Sequence, residues 1–210
     1  MARAFAEIAF THKVRAQQER MGSANGYAGF LAKDTPRGDT IGPDEAEFIA
    51  ARDGFFQATV SENGWPYVQF RGGPVGFLKV LSPTTVAYAD FRGNRQYISA
   101  GNLLENDRVS IIIVDYPNRR RLKLWGRARL IEKADETDIT DPLHDKTYRA
   151  HPERAVIIEV EALDWNCPQH IPVRLTAEEL RPHIDELHVE IQRLTAENER
   201  LKSTASARTI

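Results

Sequence analysis

Two strand-forming runs meet at a turn in the segment Phe55-Phe-Gln-Ala-Thr-Val-Ser-Glu-Asn-Gly-Trp-Pro-Tyr-Val-Gln-Phe70. The Asn63-Gly64 pair favours a tight hairpin, because both residue types tolerate a positive φ. The segment therefore predicts two antiparallel strands. Further strand-like runs follow at 76–81, 85–89, 108–116, 122–130 and 155–160, each bounded by turn-forming residues.

The spacing of these runs indicates the fold class. Only one helical segment, near 93–104, interrupts them, whereas a doubly wound parallel sheet needs helices that alternate with its strands. Six or seven short, turn-linked strands predict a mainly β domain with flanking helices, built on a closed or nearly closed antiparallel barrel. The run 109–114 is apolar except for Ser110, as expected for a central strand covered on both faces.

The regions on either side of the barrel differ from it in composition. Residues 1–42 are glycine-rich and are predicted to form a loosely structured N-terminal arm, with a polar helix around 11–21. Pro43, followed by two acidic residues, predicts the start of a helix and of the barrel domain, 43–175.

Residues 176–202 carry a heptad pattern. Leucine recurs every seven residues from Leu180 to Leu201, and Ile184, Ile191 and Asn198 occupy the intervening position. This pattern favours a parallel two-stranded coiled coil between copies of the chain. A single amphipathic helix packed on its own barrel is the alternative.

Composition excludes several function classes. The 210 residues carry a net charge of only −2, so nothing indicates a nucleic-acid partner. No apolar run approaches the roughly 20 residues of a membrane helix, and Glu7 interrupts any signal peptide. The single cysteine, Cys167, fits a reducing compartment. We therefore expect a cytoplasmic protein. No Gly-x-Ser-x-Gly, His-Glu-x-x-His or Walker motif occurs.

The segment 88–103 carries the strongest chemical signal. A strand ends near Asp90, Gly93 and Asn94 permit a tight turn, and a helix is expected to follow with Asn94 as its N-cap. The first turn of a helix offers unpaired N–H groups, and Arg95 adds a planar guanidinium, so the segment indicates an anion site. A capped helix beside a solvated arginine is the alternative.

Basic residues recur on the neighbouring predicted strands. Arg71 ends one strand, Lys79 lies on the next, and Lys123 follows three arginines, 119–121. Together they predict a basic groove on one barrel face. An ordinary solvated strand face is the alternative for any one of them.

Six short motifs occur in order along residues 43–162: Gly64-Trp-Pro-Tyr-Val-Gln-Phe-Arg71, Gly76-Phe-Leu-Lys-Val80, Tyr88-Ala-Asp90, Gly93-Asn-Arg-Gln96 with Gly101-Asn-Leu103, Asp107-Arg-Val-Ser110 and Leu124-Trp-Gly-Arg-Ala128. Their order and spacing resemble the pyridoxamine 5'-phosphate oxidase-like superfamily of FMN-binding split barrels. The resemblance implies a homodimer paired along the barrels, with FMN in a groove between the two chains.

The resemblance also implies which residues contact FMN. The ring and the ribityl chain would lie beside strand residues, and the phosphate beside the 94–96 turn. The implied set is Gln69, Phe70, Arg71, Lys79, Ala89, Asp90, Asn94, Arg95, Gln96, Ser99 and Asn102, with Lys123 and Trp125 from the second subunit. The Ser-Arg-Lys and Arg-x-His motifs of true pyridoxamine phosphate oxidases are not evident, so the vitamin B6 substrate is not implied.

The segment 165–174, Trp-Asn-Cys-Pro-Gln-His-Ile-Pro-Val-Arg, could form a wall on the substrate side of the flavin. His170 is then a candidate proton donor, and Trp165, Gln169 and Arg174 are candidate substrate contacts. A rigid linker with a buried Cys167 is the alternative, and two potential ligands alone do not predict a metal site. The sequence thus predicts an FMN-dependent oxidoreductase, with a non-catalytic flavin- or haem-binding sensor as the alternative.

Overall fold

A single antiparallel sheet organises the computed structural model, which describes residues 2–132, 137–165 and 167–207. Within these ranges its strands are β1 Gly54–Val60, β2 Pro66–Gly72, β3 Lys79–Ser82, β4 Thr85–Phe91, β5 Arg108–Asp115, β6 Arg120–Glu132 and β7 Pro152–Trp165. They are arranged in the order β2-β1-β5-β6-β7-β4-β3. Every adjacent pair is antiparallel.

The described helices flank the strands in sequence. They are α1 Arg3–Ala9, α2 His12–Arg20, α3 Ala24–Ala28, α4 Pro43–Ala50, α5 Ile98–Glu105, α6 Thr137–Thr140 and α7 Ala177–Ala207. Short 3₁₀ turns cover Gly29–Leu31 and Asp141–Leu143. The predicted fold class, a mainly β split barrel of six or seven strands with a long C-terminal helix, is confirmed.

The chain divides into two compact units. One comprises residues 1–115 and 119–170, and the other comprises residues 116–118 and 171–210. The first contains the whole sheet together with α1 to α6, and the second contains α7. The three-part division at 42/43 and 175/176 stays a prediction.

The core of the first unit follows from alternation along the strands. Val109, Ile111 and Ile113 of β5 are buried, while the residues between them are half-buried. Phe55 of β1 stacks on Phe77 in the same core, with ring centroids 5.5 Å apart. Because one face of each strand supplies these side chains, the sheet has to curl around them.

The hairpin predicted from 55–70 is confirmed. β1 and β2 pair in register from Gly54 opposite Gly72 to Val60 opposite Pro66. Gly64 has a φ of +86°, a conformation that glycine adopts at no steric cost.

Other boundaries differ from the prediction. β3 begins at Lys79 rather than near 76, because Gly76 has a φ of +74° and the N–H of Phe77 donates to Pro74 in a turn. β7 is 14 residues long, since it pairs with both β4 and β6. The α6 region was not predicted. It contributes Leu143 to a small apolar cluster on the outer face of the sheet.

The first part of the N-terminal arm is ordered, contrary to the prediction of a loose segment. α1 buries Ala4, Phe5 and Ala6. The ring of Phe5 packs on Trp125 of β6 with centroids 4.5 Å apart. The apolar residues of α1 therefore form a layer on the sheet. The polar helix predicted at 11–21 is confirmed as α2.

Helix α7 begins at Ala177 and contains Pro182. Thr176 caps it, since the N–H of Glu179 donates to the Thr176 hydroxyl and the Glu179 carboxylate accepts from the Thr176 N–H. Pro182 consequently lies in the second turn rather than the first, where it removes one backbone hydrogen bond. In the part of the chain that is described, no helix combines the length and apolarity needed to cross a membrane.

Changing Tyr88 to Phe tests the polar link inside the core. The Tyr88 hydroxyl donates to Gln57 Oε1 at 2.8 Å, and both side chains are buried. Removing the hydroxyl leaves the Gln57 oxygen without this donor, so we expect the free energy of unfolding to fall by about 1–3 kcal/mol. Denaturant unfolding measures it. The control Tyr27→Phe alters a partly exposed tyrosine and should change stability little; equal effects of the two variants would contradict the prediction.

Candidate functional site

The candidate site lies where the two ends of the sheet approach each other. Arg71 is on the edge strand β2, and Asp90 is on β4, five strands away in the sheet order. The Arg71 guanidinium nevertheless donates to the Asp90 carboxylate at 2.5 Å. This ion pair joins β2 to β4 across the split of the barrel.

Further charges surround the pair. Arg154 of β7 lies 3.6 Å from the second Asp90 oxygen and 3.7 Å from Glu153. Burial raises the pKa of the Asp90 carboxyl, while the guanidinium groups of Arg71 and Arg154 oppose that rise. Burial likewise raises the pKa of the Tyr88 hydroxyl, so it stays protonated as a donor to Gln57. Two arginines thus stabilise one desolvated carboxylate.

The turn after β4 has an unusual backbone. Arg95 has a φ of 62° and Tyr97 a φ of 53°, a region that costs non-glycine residues of the order of 1–3 kcal/mol each. Asn94 accepts the N–H of Gln96 at 3.1 Å, which fixes the turn between them. Such strained positions cluster at functional sites.

Helix α5 begins at Ile98, later than predicted. Tyr97 is its N-cap, and no side chain caps its first turn, so the expected N-cap role of Asn94 is wrong. The side chain of Asn94 instead closes the preceding turn. The Tyr97 hydroxyl accepts from Arg95 Nε at 3.3 Å and donates to Glu153 at 3.2 Å. The turn is thereby tied to the start of β7.

Two hydrogen bonds hold α5 against the sheet. The Ser99 hydroxyl donates to Gln69 Oε1 of β2 at 3.0 Å. The Asn102 amide donates to the Thr59 hydroxyl of β1 at 2.9 Å, and both side chains are buried. The start of α5 therefore faces the edge strand, and a cleft remains between them.

This cleft is a polar cavity of about 180 Å³. Strand β2, the end of β4, the strained turn, the start of α5 and the start of β7 line it. The lining residues are Tyr67, Gln69, Arg71, Asp90, Phe91, Gly93, Asn94, Arg95, Gln96, Tyr97, Ile98, Ser99, Ala100 and Glu153. We refer to it as the seam cavity.

The seam cavity brings together about half of the predicted cofactor residues. Those that line it are Gln69, Arg71, Asp90, Asn94, Arg95, Gln96 and Ser99. The predicted residues that do not line it are Phe70, Lys79, Ala89, Asn102, Lys123 and Trp125. The members of the first group come from segments far apart in sequence, so their convergence is a property of the fold.

Strand parity explains two of the separations. Lys79 lies opposite Ala87 in the β3–β4 pair, so both project from the outer face of the sheet, whereas Asp90 projects with Tyr88 from the inner one. There hydrogen bonds from Thr147 lower the pKa of Asp145, and the charge of Lys79 adds a smaller lowering. Ala89 is buried in the outer-face cluster. A Lys79 contact to a phosphate in the seam cavity is therefore not supported.

Other predicted residues occupy different surroundings. Asn102 lines a separate depression with Ser61 and Glu105. Lys123 lies 5.4 Å from the centroid of the Phe5 ring, and Trp125 donates to the Ser110 hydroxyl at 2.8 Å. Phe70 is 59% exposed on the outer side of β2.

Trp165 and the described residues 167–170 are not among those that line the seam cavity. Trp165 donates to Glu45 at 2.6 Å and packs on Phe48, so it serves the core beside α4. Gln169 and His170 are exposed. Cys167 is exposed rather than buried. Arg174, in the second unit, lies over the ring of Tyr116 at 4.7 Å. Asn166 lies outside the described residues.

The sequence interpretation missed three residues that shape the seam cavity. Tyr97 and Glu153 line it, and Arg154 contacts Asp90 behind it. Tyr97 directly follows the predicted phosphate turn, so its place in the sequence could have indicated that it lines the site. Glu153 and Arg154 become neighbours of the turn only because β7 pairs with β4. Among the described residues, no cluster of His, Cys, Asp and Glu could hold a metal ion.

Comparison with solved structures finds partial likenesses, each with a TM-score below 0.5. A single-substitution variant of HupZ from group A Streptococcus aligns with a TM-score of 0.49 and 16% identity, over 60% of this chain and 99% of that one. An FMN-binding protein from Syntrophomonas wolfei gives 0.46 and 15%, over 58% and 83%. The haem storage protein HutZ from Vibrio cholerae gives 0.40 and 20%, over 60% and 94%.

Sequence comparison is more specific. Among curated proteins none matches this chain significantly. Residues 41–166, however, match the pyridoxamine 5'-phosphate oxidase family. The match begins just before α4, ends just after β7, and so contains every strand of the sheet and the seam cavity. Because it spans more than half of the sequence, the chain belongs to the pyridoxamine 5'-phosphate oxidase family.

Proposed function

We propose that this protein binds FMN at the seam cavity, in a homodimer formed through the barrel, and acts as an oxidoreductase on a small molecule. The observation that carries the proposal is the convergence of Arg71 and Arg95 with Gln69, Asn94 and Gln96 around one cavity. Planar guanidinium groups and side-chain amides are suited to the oxygens of a phosphate and of a ribityl chain.

The charge balance of the cavity supports an anionic ligand. Asp90 is already matched by Arg71 and Arg154. Arg95, at the strained turn, makes its side-chain hydrogen bond to a tyrosine hydroxyl rather than to a carboxylate. The buried Nε atom of Arg71 has no hydrogen-bond partner among the described residues, whereas the Nε atom of Arg154 is the one that approaches Asp90. Donor capacity therefore exceeds acceptor capacity, which fits a phosphate monoester.

The small volume of the cavity supports a site that two copies of the chain share. A volume of about 180 Å³ is smaller than the roughly 300–1,000 Å³ of typical ligand sites. It suffices for the phosphate and part of the ribityl chain, and the ring would extend beyond this chain. The outer face of the β1–β2 hairpin carries exposed Phe56, Val68 and Phe70. An apolar patch of this kind is suited to a second copy, which would cover the ring.

The roles of the residues follow from this arrangement. When bound, FMN would supply hydride or electron transfer. Arg71, Arg95 and Gln96 would hold the phosphate, and Gln69, oriented by Ser99, would face the ribityl chain. Lys123 and Trp125 would act from the second copy. His170, as a proton donor, and Trp165, Gln169 and Arg174, as substrate contacts, stay predictions.

Changing Arg95 to Gln should separate phosphate recognition from ring recognition. Loss of one charge-assisted contact costs about 1.5–3 kcal/mol, so we expect FMN affinity to fall roughly 10- to 100-fold. Affinity for riboflavin, which lacks the phosphate, should stay within about twofold. Quenching of flavin fluorescence measures both. Arg129→Gln, an exposed arginine outside the cavity lining, is the control; equal losses for FMN and riboflavin would contradict the phosphate assignment.

Changing Val68 to Arg tests whether a second copy completes the site. Val68 is 61% exposed and does not line the seam cavity. If the outer face of β2 is covered by a second barrel, a buried charge there should lower FMN affinity by about tenfold or more. Val75→Arg, at a position outside β2 that is 70% exposed, is the matched control. Unchanged FMN affinity in the Val68 variant would exclude this face as part of the site.

The electron donor test distinguishes an enzyme from a sensor. We expect the flavin-loaded protein to be bleached anaerobically by NADH or NADPH and to be reoxidised by an acceptor. Free FMN at the same concentration is the control, and mass spectrometry identifies the released ligand. Loaded protein that is reduced only photochemically would support the binding or sensor function instead. Recovery of haem rather than flavin would contradict the FMN proposal.

A further inference from the structure

Helix α7 carries an apolar stripe that the proposed flavin site does not use. Every described side chain between residues 177 and 204 is exposed. Leu187, for example, is 63% exposed and Leu201 57%. Large apolar side chains that recur in register from Leu180 to Leu201 of this 31-residue helix are costly to leave in water, so the stripe indicates a partner surface.

The stripe consists of a and d positions only, so it is narrow enough for one partner helix to cover it. Ile184, Ile191 and Asn198 occupy the a position of the heptads, and leucine occupies each d position from Leu180 to Leu201. Isoleucine at a with leucine at d favours a coiled coil of two parallel helices. We propose that α7 pairs with α7 of a second copy of this chain, in parallel and in register, as a two-stranded coiled coil.

The charges beside the stripe favour the parallel orientation. In a parallel pair each g residue faces the e residue five positions later on the other helix. Glu197 then faces Lys202 of the second copy, and the symmetry of the pair makes this contact twice. Glu190 faces Thr195 in the same way. No two side chains of Glu, Lys or Arg with the same sign of charge meet along these flanks.

The antiparallel arrangement creates repulsion instead. When Ile191 packs against Leu194 of the opposite helix, g residues meet g residues and e residues meet e residues. Glu190 then faces Glu197, and Arg181 faces Lys202, each twice. Like charges on both flanks disfavour this alternative.

Asn198 also discriminates between the two arrangements. In the parallel register it meets Asn198 of the second copy, and the two amides can hydrogen-bond within the seam. In the antiparallel register it would face Leu187 and leave its amide unpaired in an apolar layer. A single asparagine at an a position is a known means of fixing register and strand number, at some cost in stability.

The rest of the helix is compatible with this seam. Pro182 is at an f position, the outermost one, so the backbone hydrogen bond that it removes lies away from the partner. Arg193, at position c, bridges Glu190 at 2.7 Å and Glu197 at 3.0 Å along its own helix. These bridges stabilise the single helix before it pairs.

Single cysteines in the full-length chain test the proposal. Cys167 is first changed to Ser. Leu201→Cys then places a thiol at a d position, and the matched variant Ala196→Cys places one at an outer f position. In a glutathione redox buffer we expect Leu201→Cys to form a covalent dimer at least about tenfold faster, because a disulfide needs Cβ atoms roughly 4 Å apart. Equal rates of dimer formation for the two variants would overturn the coiled coil. Equal rates are also what we expect if α7 packs on its own barrel.

Two further outcomes are decisive. Adding Leu187→Lys and Leu194→Lys to the Leu201→Cys chain should reduce cross-linking to the Ala196→Cys rate, with circular dichroism confirming that the barrel stays folded. Unchanged cross-linking would overturn the proposal. In a mixture of Ile184→Cys chains and isotope-labelled Leu201→Cys chains, mass spectrometry identifies each dimer. Preferential cross-links between residues 184 and 201 would overturn the parallel orientation.

Discussion

The ion pair between Arg71 and Asp90 is the constraint on which the site depends. A seven-stranded sheet with β2 and β3 at its edges encloses a core only if its ends are drawn together. On the inner face of the sheet, Tyr88 links β4 to Gln57 of β1, and Arg71 links β4 to β2 at the split. Because a buried carboxylate is tolerated only when it is paired, Asp90 requires Arg71 and so requires the closed seam. Closure leaves a cleft between β2 and α5.

The same pairing underlies the preference for anions that we propose for the seam cavity. Arg71 and Arg154 neutralise the charge of the Asp90 carboxylate, which would therefore repel a phosphate only weakly. The strained conformations of Arg95 and Tyr97 direct this turn towards the cavity lining, with Tyr97 held by Glu153. A turn that stores strain persists only where its surroundings fix it, and here β7 does so. The proposed phosphate contacts thus depend on strands that the phosphate would not touch.

Local signals in the sequence predicted the local parts of this structure. The Asn63-Gly64 hairpin, the helix that begins at Pro43 and the heptads of α7 each depend on neighbouring residues. The seam residues on β2, β4 and the turn came from the motif resemblance. Glu153 and Arg154 were missed because strand pairing across about sixty residues brings them to the turn. Lys79 lies on the outer face because it pairs opposite Ala87, a register that the sequence alone does not give. Nothing in 1–42 predicted that Phe5 would cover Trp125.

The cavity and the apolar surfaces of this chain both favour an assembly of two copies. One barrel offers charge and hydrogen bonds for a phosphate but too little volume for a flavin ring. Its β1–β2 face exposes aromatic and aliphatic side chains that water solvates poorly. Helix α7 independently exposes a heptad stripe whose flanking charges suit a copy of itself. A site that needs two barrels forms readily only where two barrels are held near each other. A coiled coil between two α7 helices would supply that proximity as an effective concentration, without contacting the ligand.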